Sequence, residues 1–144
     1  MKRIASISAL FLLLAGFPIG AAGGENDTDS RLSLQLTPSE ENQFLSEMRQ
    51  MLASIQGILA GIGSEDRELI ARSARTSGNR MARATPDTVR QKLPEAFKEL
   101  GGPTHLMFEE LAIRAETDDM SSLAEFTGQL MHQCLNCHAS FKTN

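Results

Sequence analysis

The chain has 144 residues, 18 acidic side chains against 14 basic ones, and neither Trp nor Tyr. This acidic balance argues against nucleic acid as a partner, and the length allows one domain. Its only two cysteines, Cys134 and Cys137, lie close together near the C-terminus.

The first 22 residues have the organisation of a cleavable signal peptide. Lys2 and Arg3 precede an almost wholly apolar run over 4–17, and small residues follow around Ala22. The run is shorter than the roughly 20 residues that a membrane-spanning helix needs. We therefore expect cleavage near Ala22, export to the periplasm if the source is a bacterium, and a mature form without a membrane span. Loss of Lys2 and Arg3 leaves 12 basic residues against 18 acidic ones.

Residues 23–36 are polar and predict a loose lead-in to a single domain over 37–144. The run Thr37-Pro38-Ser39-Glu40 combines a capping residue, a proline at the first helical position and the glutamate of a capping box. Apolar residues then recur in steps of four and three, which predicts a helix from about Pro38 to Ile62. They are Phe44, Met48, Met51, Ile55, Ile58 and Ile62.

Ser64 is the predicted cap of a second helix, which extends to about Ala84 and is stopped by Pro86. Its outer faces are rich in arginine. These arginines are Arg67, Arg72, Arg75, Arg80 and Arg83. The stretch from 85 to 103, with its three prolines and a Gly-Gly pair, predicts a connection with short helical turns at 87–92 and 95–100.

Thr104 is the predicted cap of a third helix that ends near Glu116, and Asp118 or Asp119 caps a fourth that ends near Lys142. The apolar stripe of the fourth helix includes both cysteines: Leu123, Phe126, Leu130, Cys134, Cys137 and Phe141. Four helical patterns without a strand signal predict an all-α fold, an antiparallel four-helix bundle.

The segment Cys134-Leu135-Asn136-Cys137-His138 has the form C-x-x-C-H, the attachment motif of haem c. The two thiols can form thioethers with the haem, and His138 can bind its iron. A thioredoxin-type redox pair would need a βαβ context, a zinc site would need two more ligands, and a disulfide would close a small strained loop. We favour one covalently attached haem over these alternatives.

A signal peptide, four helices and C-x-x-C-H in the last helix resemble the class II cytochromes c, the cytochrome c-prime family. The resemblance covers about 38–141. The segment Leu93-Pro94-Glu95-Ala96-Phe97 is similar to a turn that many members have before the third helix. Phe141 stands where an aromatic residue, often Tyr, tends to follow the motif, and Lys142 stands where a basic residue is common. The resemblance implies a haem-bearing bundle with His138 as the proximal iron ligand.

The family divides by the sixth iron ligand. Members with a methionine on the first helix carry electrons, whereas members with an open site bind NO or CO. The resemblance offers Met48 and Met51 for this role, and we favour Met48 because Ile55, Ile58 and Ile62 then fall at the family's offsets. Methionine on a helical stripe is otherwise ordinary core.

The remaining candidates have weaker support in the sequence. His132 and His105 are interpreted as surface histidines. The arginines of the second helix are interpreted as a solvated face, with binding of haem propionates or of an acidic partner as the alternatives.

No catalytic pattern predicts an enzyme. The expected function is a monohaem electron carrier that serves redox partner proteins, with an open gas-binding site as the alternative. The broad first stripe, with Leu45, Leu52 and Leu59 beside it, also leaves a homodimer open.

Overall fold

The computed structural model describes residues 29–144, so the predicted signal peptide lies outside the described residues. This part of the chain is mostly helical, which confirms the all-α prediction. The helices are α1 (Pro38–Ser64), α2 (Arg67–Thr76), α3 (Asn79–Ala84), α4 (Asp87–Lys92), α5 (Glu95–Arg114) and α6 (Met120–Ser140). Two short strands, β1 (Leu32–Ser33) and β2 (Phe141–Lys142), pair in parallel.

The start of α1 forms the predicted capping box. The Thr37 hydroxyl accepts a hydrogen bond from the Glu40 amide at 3.4 Å, and the Glu40 carboxylate accepts one from the Thr37 amide at 2.8 Å. The predicted cap of the next helix is wrong. Ser64 still belongs to α1 and donates to the Ala60 carbonyl at 2.9 Å, whereas the Asp66 carboxylate caps α2.

The predicted second helix is interrupted after Thr76, which corrects the expectation of one helix to Ala84. Ser77 is buried at the break, where its hydroxyl lies 2.8 Å from the Ser54 hydroxyl of α1. Its carbonyl accepts a hydrogen bond from Nδ1 of His105 at 2.7 Å. These side-chain bonds replace the helical ones that the break removes, so the chain can turn at Gly78 before α3.

Thr104 does not begin a helix, because α5 is continuous from Glu95 through Pro103 to Arg114. Its hydroxyl donates to the Leu100 carbonyl at 2.8 Å, one turn earlier in the same helix. Two glycines and a proline disfavour helix locally, yet packing of Phe97 before them and Phe108 after them holds the segment helical. Tertiary burial therefore overrides the local signal.

The last helix is capped by Asp119, one of the two predicted caps, but it ends at Ser140 and not at Lys142. Phe141 and Lys142 continue as the strand that pairs with β1. The lead-in just before α1 is also not loose. Leu34 and Leu36 are 3% and 5% exposed and pack with Phe141 in a small core cluster.

Helices α1, α2, α5 and α6 contact one another in a closed cycle, α1 with α2, α2 with α5, α5 with α6 and α6 with α1. Their shared core includes Ile58, Ile70, Phe108 and Leu111, all with no exposed surface. Across residues 29–144, every helix is too short or too polar to span a membrane.

Candidate functional site

The side chains that the sequence singled out meet at one cavity. Its volume is about 680 Å³, and its walls come from α1, α4, α5, α6 and the end of α3. Cys134, Cys137 and His138 line it from α6, and Met48 and Met51 line it from α1. The structure thus brings all five residues to the same space, although they come from the two ends of the described chain.

The two cysteines share one face of α6 because they are three residues apart on a helix. Both are free thiols and half-buried. The Cys134 sulfur donates weakly to the Leu130 carbonyl at 3.7 Å. Burial raises the pKa of both thiols above the ordinary value, and at Cys137 the neighbouring Cys134 raises it further. Both sulfurs are therefore protonated at neutral pH, with part of their surface at the cavity.

His138 follows on the last turn of α6, where it is exposed and lines the cavity. Its backbone carbonyl accepts a hydrogen bond from Nη1 of Arg31 at 3.3 Å, which ties the residues before β1 to this turn. The parallel pairing of β1 with Phe141 and Lys142 fixes the same end of α6. The imidazole is accessible while its backbone is anchored.

The two methionines of α1 differ in their surroundings. Met51 packs against the main core cluster, next to Ile55. Met48 is half-buried and lines the cavity, but among the described residues it is not part of either core cluster. The Met48 side chain is therefore packed less closely into the protein core than that of Met51, and the choice between the two methionines, which came from the family resemblance, stays a prediction.

The cavity walls are largely apolar, and part of that apolar surface faces solvent. Leu45, Leu52 and Leu135 line the cavity with 37%, 67% and 64% of their surface exposed. A contiguous apolar surface of this kind marks a ligand or partner site. Cations stand among these side chains: Arg49, Arg90 and Lys98. Arg90 and Lys98 have acidic neighbours of their own, Asp87 at 3.6 Å and Glu95 at 3.4 Å.

His105 is a cavity residue that the sequence interpretation missed. It is half-buried, not a free surface histidine, and it lines the cavity from α5. Since the Ser77 carbonyl can only accept, Nδ1 of His105 is the donor in this hydrogen bond. Gly101 and Phe97 line the cavity one and two turns earlier, so a continuous α5 would have placed His105 on the same face. His132 is exposed, as predicted.

These residues fit a covalently attached haem. The two thiols on one helical face match its vinyl groups, and the imidazole one residue later matches its iron. The apolar walls suit the porphyrin faces, and the nearby cations suit the propionates. The volume also lies within the range of about 300–1,000 Å³ typical of cofactor sites. Within residues 29–144 no three His, Cys, Asp or Glu side chains cluster as metal ligands.

Comparisons with protein-family models, curated proteins and solved structures found no match to this chain. The interpretation of the cavity depends on the residues that line it and on their chemistry.

Proposed function

We propose that this protein is a periplasmic, monohaem c-type cytochrome that transfers single electrons between redox partner proteins. The observation that carries the proposal is the meeting of Cys134, Cys137, His138 and Met48 at one apolar cavity. The motif alone indicates haem attachment, and the cavity beside it supplies the space that an attached haem would need.

Each α6 residue has a distinct role in the proposal. The thiols of Cys134 and Cys137 would hold the haem as thioethers, each by addition of S–H to one of its two vinyl groups, which would need no oxidant. His138 provides an imidazole nitrogen as the proximal iron ligand. When bound, haem supplies a one-electron ferric/ferrous couple. The apolar side chains around it restrict water, and Arg49 offers a cation to a propionate.

Met48 is the proposed distal ligand. A thioether favours ferrous iron and raises the reduction potential, which suits an electron carrier. Its position on the α1 wall of the cavity, outside both core clusters, supports this choice over Met51. The closed cycle of contacts among α1, α2, α5 and α6 supports a four-helix bundle as the architecture, with α3 and α4 in the connection. Leu59, which is 53% exposed and outside the cavity, is available for a homodimer contact.

The experiment is an optical spectrum of the purified protein, oxidised and reduced, before and after addition of CO. Sharp reduced bands, no response to CO and a weak sulfur-to-iron band in the oxidised form are expected. Met48→Leu should abolish that band and create a CO response, whereas Met51→Leu should not. Met107→Leu is a matched control, because Met107 packs on the core and does not line the cavity.

Haem attachment is tested separately. A red colour that persists after denaturation is expected for the wild type, because thioethers are covalent. The double variant of Cys134→Ala and Cys137→Ala should release its haem on denaturation. A colourless wild-type protein from a host able to attach haem c would overturn the proposal.

A second candidate function is gas binding at a five-coordinate haem. It is favoured by four apolar residues of the α1 wall that offer no ligand atom and stand beside the two methionines: Phe44, Leu45, Leu52 and Ile55. Broad high-spin bands that shift with CO in the wild type would support NO or CO binding, and Met48 would then be an ordinary cavity residue.

A further inference from the structure

A second depression lies on the face formed by α2, α3 and α5. We call it the arginine groove; it is an open groove of about 480 Å³. It is lined by Arg72, Arg75, Thr76, Arg80, Arg83 and Glu109. Four of six lining residues are thus arginines, on a chain whose acidic residues outnumber its basic ones.

The charges of this groove are only partly balanced. Arg72 pairs with Glu68 at 3.0 Å and Arg75 with Glu116 at 3.3 Å, but all four side chains are at least half exposed, and such pairs are weak. Within residues 29–144, Arg80 and Arg83 make no ion pair. The groove therefore keeps a positive potential.

Glu109 offsets only one of the four positive charges of the groove. Its carboxylate accepts a hydrogen bond from the Asn79 amide at 3.1 Å, at the start of α3. It also lies directly against Gly78, where a Cβ would overlap it. The one acid of the groove is thereby held by the backbone of the α2–α3 junction, and the guanidinium groups of Arg80 and Arg83 remain available to an external anion.

The arginine groove and the cavity share a border. Arg80 and Arg83 of α3 line the groove, while Ala82 of α3 and Thr85 just after it line the cavity. One short helix thus presents basic side chains to the groove and small side chains to the cavity. A molecule seated in the groove would therefore contact the same short helix that lines the cavity.

We propose that the arginine groove docks an acidic surface of a redox partner protein and so places that partner beside the haem cavity. This inference rests on the proposed function. Planar guanidinium groups bind carboxylates through paired hydrogen bonds, and a concave site admits projecting Asp and Glu side chains better than it fits a flat membrane. Because the rest of the protein is acidic, a positive groove also orients an acidic partner as it approaches.

The first test uses the reduced haem protein and two small oxidants of opposite charge, ferricyanide and tris(phenanthroline)cobalt(III), in stopped-flow measurements. The salt concentration is varied from about 10 to about 150 mM, over which the Debye length falls from about 30 to about 8 Å. If ferricyanide reacts through the groove, its rate constant falls as salt rises. If the net negative charge governs the encounter, the rate constant rises instead.

Variants locate the effect. Arg80→Gln and Arg83→Gln should each slow ferricyanide by about two- to fivefold at low salt, and the double variant by about tenfold. None of them should slow the cationic oxidant. Lys92→Gln is the control, since it removes one positive charge outside the groove and the cavity; because it also removes the ion pair with Glu40, its folding is checked by circular dichroism. It should change the ferricyanide rate less than either groove variant.

A second arm measures docking directly, from the fluorescence anisotropy of a labelled peptide of about ten glutamates. Wild-type protein should bind it in low salt, and the double variant should bind about tenfold more weakly. Arginine-dependent binding to phosphatidylglycerol vesicles, without binding to the peptide, would identify a lipid surface and overturn the proposal. The proposal would also be overturned if the protein binds haem but its rate constant with ferricyanide rises with salt and is unchanged by substitution of Arg80 and Arg83. A protein that binds no haem would instead refute the proposed function.

Discussion

The contact between α1 and α2 predicts that a single methyl group at Gly61 destabilises the protein. A Cβ there would lie 2.7 Å from Cγ1 of Ile70 and 3.0 Å from the Asp66 carbonyl oxygen. Ile70 is fully buried and the other atom is backbone, so neither can yield cheaply. Overpacking of this kind costs about 1–3 kcal/mol, against a gain of about 0.5–1 kcal/mol for removing a helical glycine. The free energy of unfolding of Gly61→Ala should therefore fall by about 1 kcal/mol, and by no more than about 2.5 kcal/mol.

Gly128→Ala is the matched control. Gly128 lies inside α6, is exposed, and an added Cβ would meet nothing within 4 Å. This variant should gain about 0.5–1 kcal/mol from helix propensity alone. Urea unfolding followed by circular dichroism measures both free energies, with the m-value as a check on two-state behaviour. A stabilised Gly61→Ala variant would refute the close approach of α1 and α2.

Three further substitutions test other parts of the fold. Leu34→Ala should cost about 2–4 kcal/mol in urea unfolding, because Leu34 is buried; an unchanged midpoint would mean that the lead-in does not pack. The Lys92 ammonium and capping hydrogen bonds lower the pKa of Glu40 from 4.5 to about 2. The stability advantage of wild type over Glu40→Gln should thus be complete above about pH 4.5 and vanish as pH falls toward 2, and a pH-independent difference in melting temperature would contradict it. His105→Ala leaves the Ser77 carbonyl without its donor, so stability should fall by about 1 kcal/mol and amide exchange at the α2–α3 junction should accelerate.

The sequence predicts those parts of the fold whose signals are local. The capping box at Thr37 and Glu40, the cap at Asp119 and the short helix Asp87–Lys92 all follow from a few neighbouring residues. Where local residues favoured a helix boundary that the fold does not have, tertiary contacts determined the helix bounds. Thr104 is a plausible cap after Gly-Gly-Pro, but burial on both sides of that segment keeps α5 continuous.

The residues of the candidate site also differ in whether local sequence signals identify them. Cys134, Cys137 and His138 are recognisable from their spacing, and the methionines from the stripe of α1. His105 is not recognisable, because its role depends on a hydrogen bond to a residue that is 28 positions away and on a break that the sequence interpretation lacked. The packing of the lead-in was missed for a similar reason, since β1 acquires its partner only from the far end of the chain.

That missed packing bears on the site itself. The small core cluster built on Leu34 is completed by Phe44, Phe97 and Cys137, and these three residues also line the cavity. The Phe97 ring stands 5.7 Å from that of Phe44 and 5.3 Å from that of Phe141. One face of this cluster is therefore a wall of the cavity, and it contacts the Cys137 side chain. The end of the lead-in, which the sequence predicted to be loose, is thus part of the scaffold around the cavity. Substitutions there should affect the cavity as well as the stability of the protein.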